Sequence, residues 1–366
     1  MVRTDESTFL IGAAASHPVR SPRIQVTWPA DRQVFRDTNG SGEKGRWGAI
    51  ADALALRPAA KSDAPMPPDV VVHVSPSSGI PVPSGAKQVA NDKQGTVWRT
   101  SNGWLLKRAG YTATVAASTR KATLYAPTAP TAMYAFRDLM TMLLPRTGWV
   151  PIHAACVQPA DSNTNHPTVL IAGPSGSGKS TLTTGLLLAG WQCISDDLLV
   201  LPPPEHERVS AYCMMRAVRI CDDAWTRLGL NDAHKKPLDV FGRYASVAKH
   251  TLTASALPDG SGMPSNRALR CSHGSPTCIL LPEIVERASS TLIPVSPSQA
   301  LPALMAESIP TTILPPEAAQ GQLQRIGALL RQCTVYRLHA GRDLYHNPSR
   351  LASLLQDVDS APALHA

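Results

Sequence analysis

Residues 171–182 read IAGPSGSGKSTL, and the fold turns on how that stretch is understood. Gly173, Pro174, Ser175, Gly176, Ser177, Gly178, Lys179 and Ser180 fit the pattern GxxxxGK[ST] without a mismatch, and Thr181 follows. Small residues at this spacing let successive backbone N–H groups face one concavity, a nest for anionic oxygen. A helix starting near Lys179 adds its positive N-terminal end. In that frame Lys179 neutralises the terminal phosphates of a bound nucleotide and the Ser180 hydroxyl ligates Mg²⁺. The flanks supply the context: TVLIA (168–172) reads as a strand before the loop, and STLTTGLLLAG (180–190) as a helix closed by Gly190. The stretch thus predicts an α/β fold with a nucleotide site, and leaves open what the nucleotide is for.

Two features outside the loop bear on its use. Asp196 and Asp197 close the next apolar segment, QCISD, only 17 and 18 residues after Lys179. So compact a strand–loop–helix–strand unit brings both carboxylates near the phosphates. One suits Mg²⁺; the other suits the hydrogen of an attacking hydroxyl in phosphoryl transfer. His153 lies in WVPIHAACV (149–157), a predicted strand that pairs with TVLIA and carries the imidazole to the same rim. Taken singly, the acid pair reads as a cap or turn and His153 as a core histidine. Their convergence on one predicted phosphate is the argument for a site. An LSGGQ-like signature and a guanine-reading NKxD are both missing.

The composition fits this picture. Hydrophobic residues make up 43% of the 366 and charged ones 17%, below the ~25% of an average domain. The 33 prolines predict many breaks between elements. No apolar run reaches the ~20 residues that span a bilayer, and the first 20 residues lack the basic start and longer apolar segment of a secretory signal. The expectation is a cytoplasmic protein with no membrane partner. Seven scattered cysteines without a CxxC predict no disulfides, and CSHGSPTC (271–278) lacks a fourth metal ligand at sensible spacing. The net charge of +8 gathers at 87–121 and 325–350, but no nucleic-acid-binding module is recognisable, so no nucleic-acid partner is expected. Residues 1–66 show no sustained periodicity and read as a poorly ordered or loosely attached extension. Residues 67–130 read as a β-rich part, with DVVVHV, GTVWRT, GWLLKR, YTATVAA and ATLYA as strands. MYAFRDLMTMLL puts Met133, Phe136, Leu139, Met140 and Leu143 on one helical face, and the pattern from about 150 onward is α/β.

At these residues, IHAACV…VLIAGPSGSGKSTLTTGLLLAGWQCISDDLLVL resembles the C-terminal domain of the HPr serine kinase/phosphorylase family. That is a P-loop kinase fold shared with phosphoenolpyruvate carboxykinases. The matching features are His153, the complete loop, the pair Gly190–Trp191 and the spacing of Asp196–Asp197. MRAVRICDDAWTRLGL, VSPSQALPALMAES and TVYRLHAGRDL echo a divergent branch, whose members stand beside genes for lasso and other modified peptides and in some cases phosphorylate a precursor peptide on serine. The resemblance spans roughly 95–355 and implies a P-loop domain over 131–358. It implies ATP on Lys179 and the loop, Mg²⁺ on Ser180 and Asp196, Asp197 as general base, and His153 and Asp196 in support. Arg216 and Arg219 are candidates for transition-state charge. The arginine- and glycine-rich stretch by which HPr kinases recognise HPr is missing, so the resemblance does not extend to HPr or to reverse phosphorolysis. Kinases of this type are often oligomers, which makes a homo-oligomer an expectation. Three readings follow: an ATP-dependent kinase of a peptide or protein Ser (or Thr), a small-molecule kinase, and a non-catalytic ATP-binding regulator of a biosynthetic partner.

Overall fold

The computed structural model describes residues 4–11, 23–29, 56–58, 69–75, 77, 79–92, 95–108, 110–126, 129–161, 166–203, 208–214, 218–237, 249–252, 271–308, 314–347 and 349–359. The chain divides into two compact units, Met1–Thr147 and Gly148–Ala366.

The first unit is one nine-stranded sheet and a helix among the described residues. Its strands are β1 (Thr4–Ile11), β2 (Arg23–Pro29), β3 (Leu56–Pro58), β4 (Val70–Ser75), β5 (Lys87–Asp92), β6 (Gly95–Thr100), β7 (Gly103–Arg108), β8 (Tyr111–Ala116) and β9 (Lys121–Tyr125), in the order β3-β1-β2-β4-β9-β8-β7-β6-β5. β5 to β9 form an antiparallel meander, joined to β4 by a parallel pair. Helix α1 (Ala129–Leu143) lies against β8 and β9 and buries Phe136, Leu139, Met140 and Leu143, the face that its 3.6-residue period predicts. The unit boundary therefore falls at 147/148 rather than 130/131: the helix covers the sheet that precedes it. Where 1–66 shows no periodicity, β1, β2 and β3 nevertheless pair, with β2 running parallel to β4. The rest of 1–66 lies outside the described residues, as does the side chain of Met133.

The second unit is mixed α/β. A six-stranded sheet has the order β13-β11-β12-β20-β22-β21, and a four-stranded sheet the order β10-β14-β15-β19. In chain order these are β10 (Val150–Ile152), β11 (Ala154–Pro159), β12 (Val169–Ala172), β13 (Trp191–Ser195), β14 (Leu199–Leu201), β15 (Ala211–Cys213), β19 (His273–Gly274), β20 (Cys278–Ile284), β21 (Thr291–Pro294) and β22 (Thr334–Ala340). A small third sheet holds β16 (Arg219–Cys221), β17 (Lys236–Pro237) and β18 (Lys249–Thr251). The helices are α2 (Lys179–Leu188), α3 (Asp222–Arg227), α4 (Pro297–Ala306), α5 (Pro316–Gln332), α6 (Asp343–His346) and α7 (Ser349–Asp359).

β12, β20 and β22 run parallel. β12 is buried at all four residues, and its continuous apolar run suits a strand with both faces covered. Leu182 and Leu186 of α2, Leu344 of α6, and Leu351 and Leu355 of α7 pack with Val169, Ile171 and Leu280 of the sheet in one core. Burying each such leucine contributes about 1.5–3 kcal/mol. The loop at the C-terminal end of β12 thereby sits on a rigid base.

Two segments pass from one sheet to the other at the same level. WVPIHAACV, which reads as a single strand, breaks at His153: β10 pairs β14 in the four-stranded sheet, and β11 pairs β12 and β13 in the six-stranded one. The second segment breaks at Asp196–Leu198, between β13 and β14. The Ser195 hydroxyl donates to Leu198 O at 2.7 Å and fixes that bend. A strand that changes sheets must turn a corner, and the corner frees its residues from the ladder. His153 and the acid pair occupy the two corners.

Candidate active site

The loop leaves β12 at Gly173 and enters α2 at Lys179. Gly178 is the N-cap, with φ +94°, a left-handed conformation that suits glycine. Gly173 is constrained differently: a Cβ there would stand 3.0 Å from Ser177 Oγ. Pro174, Ser175 and Gly176 form an exposed crest, while Lys179 is buried. The Lys179 ammonium donates to Gly173 O at 2.5 Å and to Pro174 O at 3.2 Å. Burial lowers its pKa, opposed by Glu307, Asp197 and Asp196.

Ser180, one residue into α2, donates its hydroxyl to Asp196 Oδ2 at 3.0 Å. The backbone N–H of Arg219 donates to the same oxygen, also at 3.0 Å. Asp196 is 2% exposed, and its other oxygen, Oδ1, is buried with no hydrogen-bond partner among the described residues. Burial pushes this carboxyl up from its ordinary value, against the opposing pull of the Arg219 N–H and the Ser180 hydroxyl. A buried carboxylate oxygen without a donor costs several kcal/mol. A hard divalent cation is the partner such an oxygen suits, and Ser180 beside it supplies a second oxygen. The residues present therefore fit Mg²⁺.

Asp197 points to the other corner. Its Oδ1 lies 3.1 Å from His153 Nε2, and its Oδ2 accepts from Arg219 Nη2 at 2.8 Å. Arg219, the first residue of β16, thus grips both acids, Asp196 by its backbone and Asp197 by its guanidinium. Arg216 lies outside the described residues.

Glu307 completes the set and is absent from the sequence-based expectation. It caps the C-terminal end of α4, a helix that begins with a Ser296/Gln299 capping box and accommodates Pro302. Glu307 Oε2 lies 2.8 Å from His153 Nδ1, and its carbonyl accepts from the His153 N–H at 2.8 Å. Desolvation works against the imidazolium, but hydrogen bonds donated to the Asp197 and Glu307 carboxylates outweigh it and raise the pKa of His153. A sequence separation of 154 residues hides this contact from any local pattern.

The sequence-predicted residues His153, Lys179, Ser180, Asp196 and Asp197 thus converge at one end of the six-stranded sheet. A glycine-rich loop opening a helix, with two acids and a histidine at its rim, sits in a unit whose class is mixed α/β. No family model matches the chain, and no curated protein matches it. Among solved structures it is similar to the HPr(Ser) kinase/phosphatase from Coxiella burnetii, at 11% identity over 57% of this chain and 95% of that one, with a TM-score of 0.24.

Proposed function

We propose that the protein is an ATP-dependent kinase that phosphorylates a serine or threonine hydroxyl of a peptide or protein. The observation that carries the reading is the division of labour between adjacent acids: Asp196 turned to Ser180, Asp197 turned to His153 and Arg219.

The loop amides and the α2 N-terminus hold the β- and γ-phosphates, with Lys179 as the cation beside them. Ser180 Oγ and Asp196 would hold Mg²⁺, which would supply charge neutralisation on the phosphate oxygens. Asp197 receives the hydrogen of the acceptor hydroxyl and aims its lone pair along the line of the bond to be broken. As the new O–P bond forms, the bond to the bridging oxygen breaks and ADP departs with that electron pair. The proton passes to Asp197. His153, set between the Asp197 and Glu307 carboxylates, and Arg219 keep Asp197 oriented and spread the charge that builds up. Resemblance to the divergent kinase branch favours a ribosomal precursor peptide as acceptor.

The test is transfer of ³²P from γ-labelled ATP to serine-containing peptides, with a metabolite panel in parallel. Peptide labelling that Asp197→Asn lowers by about 10²–10⁴ supports the reading. Transfer to metabolites alone, or ATP binding without any transfer, overturns it.

A further inference from the structure

The three-stranded sheet beside the acid pair has one face in the core and one turned to the site. Val218, Ile220 and Leu252 pack with Leu187 of α2 and Trp225 of α3, and all five are buried. Side chains alternate along a strand, so Arg219 and Cys221 of β16 stand on the opposite face. The register sets Thr251 opposite Arg219 and Lys249 opposite Cys221, which puts Lys249 on the Arg219 face as well. The two are diagonal neighbours across the ladder, about 7–8 Å apart. Lys249 is exposed and has no carboxylate within ion-pair distance among the described residues. Its neighbours are engaged: Arg219 holds Asp197 at 2.8 Å, Arg227 holds Asp223 at 2.9 Å, and Lys235 pairs with Asp222. The Lys249 charge is felt at the glycine-rich loop, where burial lowers the pKa of Lys179 and Lys249 lowers it further.

We propose that Lys249 reads a carboxylate on the acceptor, an acidic side chain about two residues from the serine, an inference that rests on the peptide-kinase reading above. The hydroxyl to be phosphorylated enters at Asp197, and Arg219, which holds Asp197, marks that point on the face of the sheet. Extended chain covers about 3.3–3.6 Å per residue, so a segment with its serine beside Arg219 brings its second neighbour to Lys249.

The nucleotide has the weaker claim on this lysine. Its phosphates are served by the loop amides, the α2 N-terminus and the buried Lys179. Lys249 instead stands in solvent, on the face that bears the guanidinium of Arg219. Asp197 and Glu307, which would otherwise repel an incoming acid, are engaged by Arg219 and His153. An exposed ammonium on a flexible stem adds little to the stability of the fold, but it discriminates between partners by charge.

A serine-centred peptide array and γ-labelled ATP test this on the full chain. One set carries aspartate at each position in turn on either side of the serine, and matched sets carry asparagine or lysine there. The aspartate set is expected to exceed the asparagine set by about tenfold in kcat/KM, most strongly about two positions from the serine, with the lysine set lowest. That advantage should shrink as ionic strength rises. Lys249→Ala should bring the aspartate and asparagine sets within about threefold of each other, by raising the KM for the aspartate peptides. Lys249→Glu should reverse the order and put the lysine set ahead. Because Lys249 is exposed, neither substitution puts the fold at stake. Equal labelling of the three sets by the wild-type protein would overturn the proposal, as would an aspartate preference that survives both variants. So would a rise in the KM for ATP alone in Lys249→Ala, which assigns the lysine to the phosphates. Failure to label any peptide strikes instead at the peptide-kinase reading, and the role of Lys249 falls with it.

Discussion

His153 Nδ1 lies 2.8 Å from Glu307 Oε2, so the imidazole is held from behind by a helix end while its other nitrogen faces Asp197. The charged groups acting on it are Asp197 and Glu307, which raise its pKa, and Lys179, which lowers it. Glu307→Gln removes one of the two raising partners, so the His153 pKa should fall. Stability contributed by a histidine with a raised folded-state pKa is complete below about 6.5, its unfolded value, and is lost as pH rises through the folded value. Glu307→Gln should therefore cost more at pH 6 than at pH 9. A loss of about 1 kcal/mol, or 2–4 °C in Tm, is expected at the lower pH. NMR titration of the His153 ring and melting curves at the two pH values check it. Equal losses at both would show that Glu307 acts only as a cap.

Asp196 carries the opposite sign. Its folded-state pKa is raised by burial, so between its unfolded and folded values stability falls as pH rises, and at neutral pH the ionised form is a cost. Asp196→Asn removes the charge, keeps an acceptor for Ser180 Oγ and Arg219 N, and puts an N–H₂ at the unpartnered position. Without Mg²⁺ the variant should melt at or above the wild-type temperature at pH 7. The Mg²⁺-dependent gain in ATP affinity should disappear. A variant that melts several degrees lower, with Mg²⁺ dependence intact, would remove Asp196 from the metal site.

Arg219 is tested by a substitution that preserves charge. Lys at 219 keeps the backbone N–H to Asp196 but lacks the planar fork that reaches Asp197. Arg219→Lys should leave ATP affinity within a few-fold and lower phosphate transfer by about 10–100-fold, because the lost interaction orients the base rather than the nucleotide. Steady-state kinetics separate the two, since the effect belongs in kcat. A purely structural arginine would change both affinity and Tm.

The parts of this site that were legible in the sequence are those packed into one short unit. The loop needs glycines at fixed positions, and the acid pair follows one helix and one strand later, so both leave a local imprint. The corner at His153 left none: apolar residues on both sides of it read as one strand, because each sheet demands the same buried run. Glu307 was invisible for a related reason, since a helix end acquires meaning only from what it meets. The strands of 1–66 escaped because a segment such as TDESTFLI has no alternation to betray it. What pairing alone decides, periodicity does not record.

Two glycines with different backbones give the last test, which separates loop geometry from general stability. Gly178 has φ +94°, and a Cβ there would meet only Ile284, at 3.9 Å, an ordinary contact. The cost of Gly178→Ala is therefore backbone strain alone, roughly 1–2 kcal/mol. Gly321 lies within α5, and a Cβ there would meet nothing within 4 Å. Gly321→Ala should stabilise by about 0.5–1 kcal/mol, because alanine restricts the unfolded chain and favours helix. Denaturant unfolding of the two variants should thus show shifts of opposite sign. Relief of strain by movement of the loop should also weaken tripolyphosphate binding to Gly178→Ala by tenfold or more, while Gly321→Ala binds as wild type. If Gly178→Ala is as stable as wild type and binds tripolyphosphate unchanged, the left-handed cap is not what shapes the anion nest.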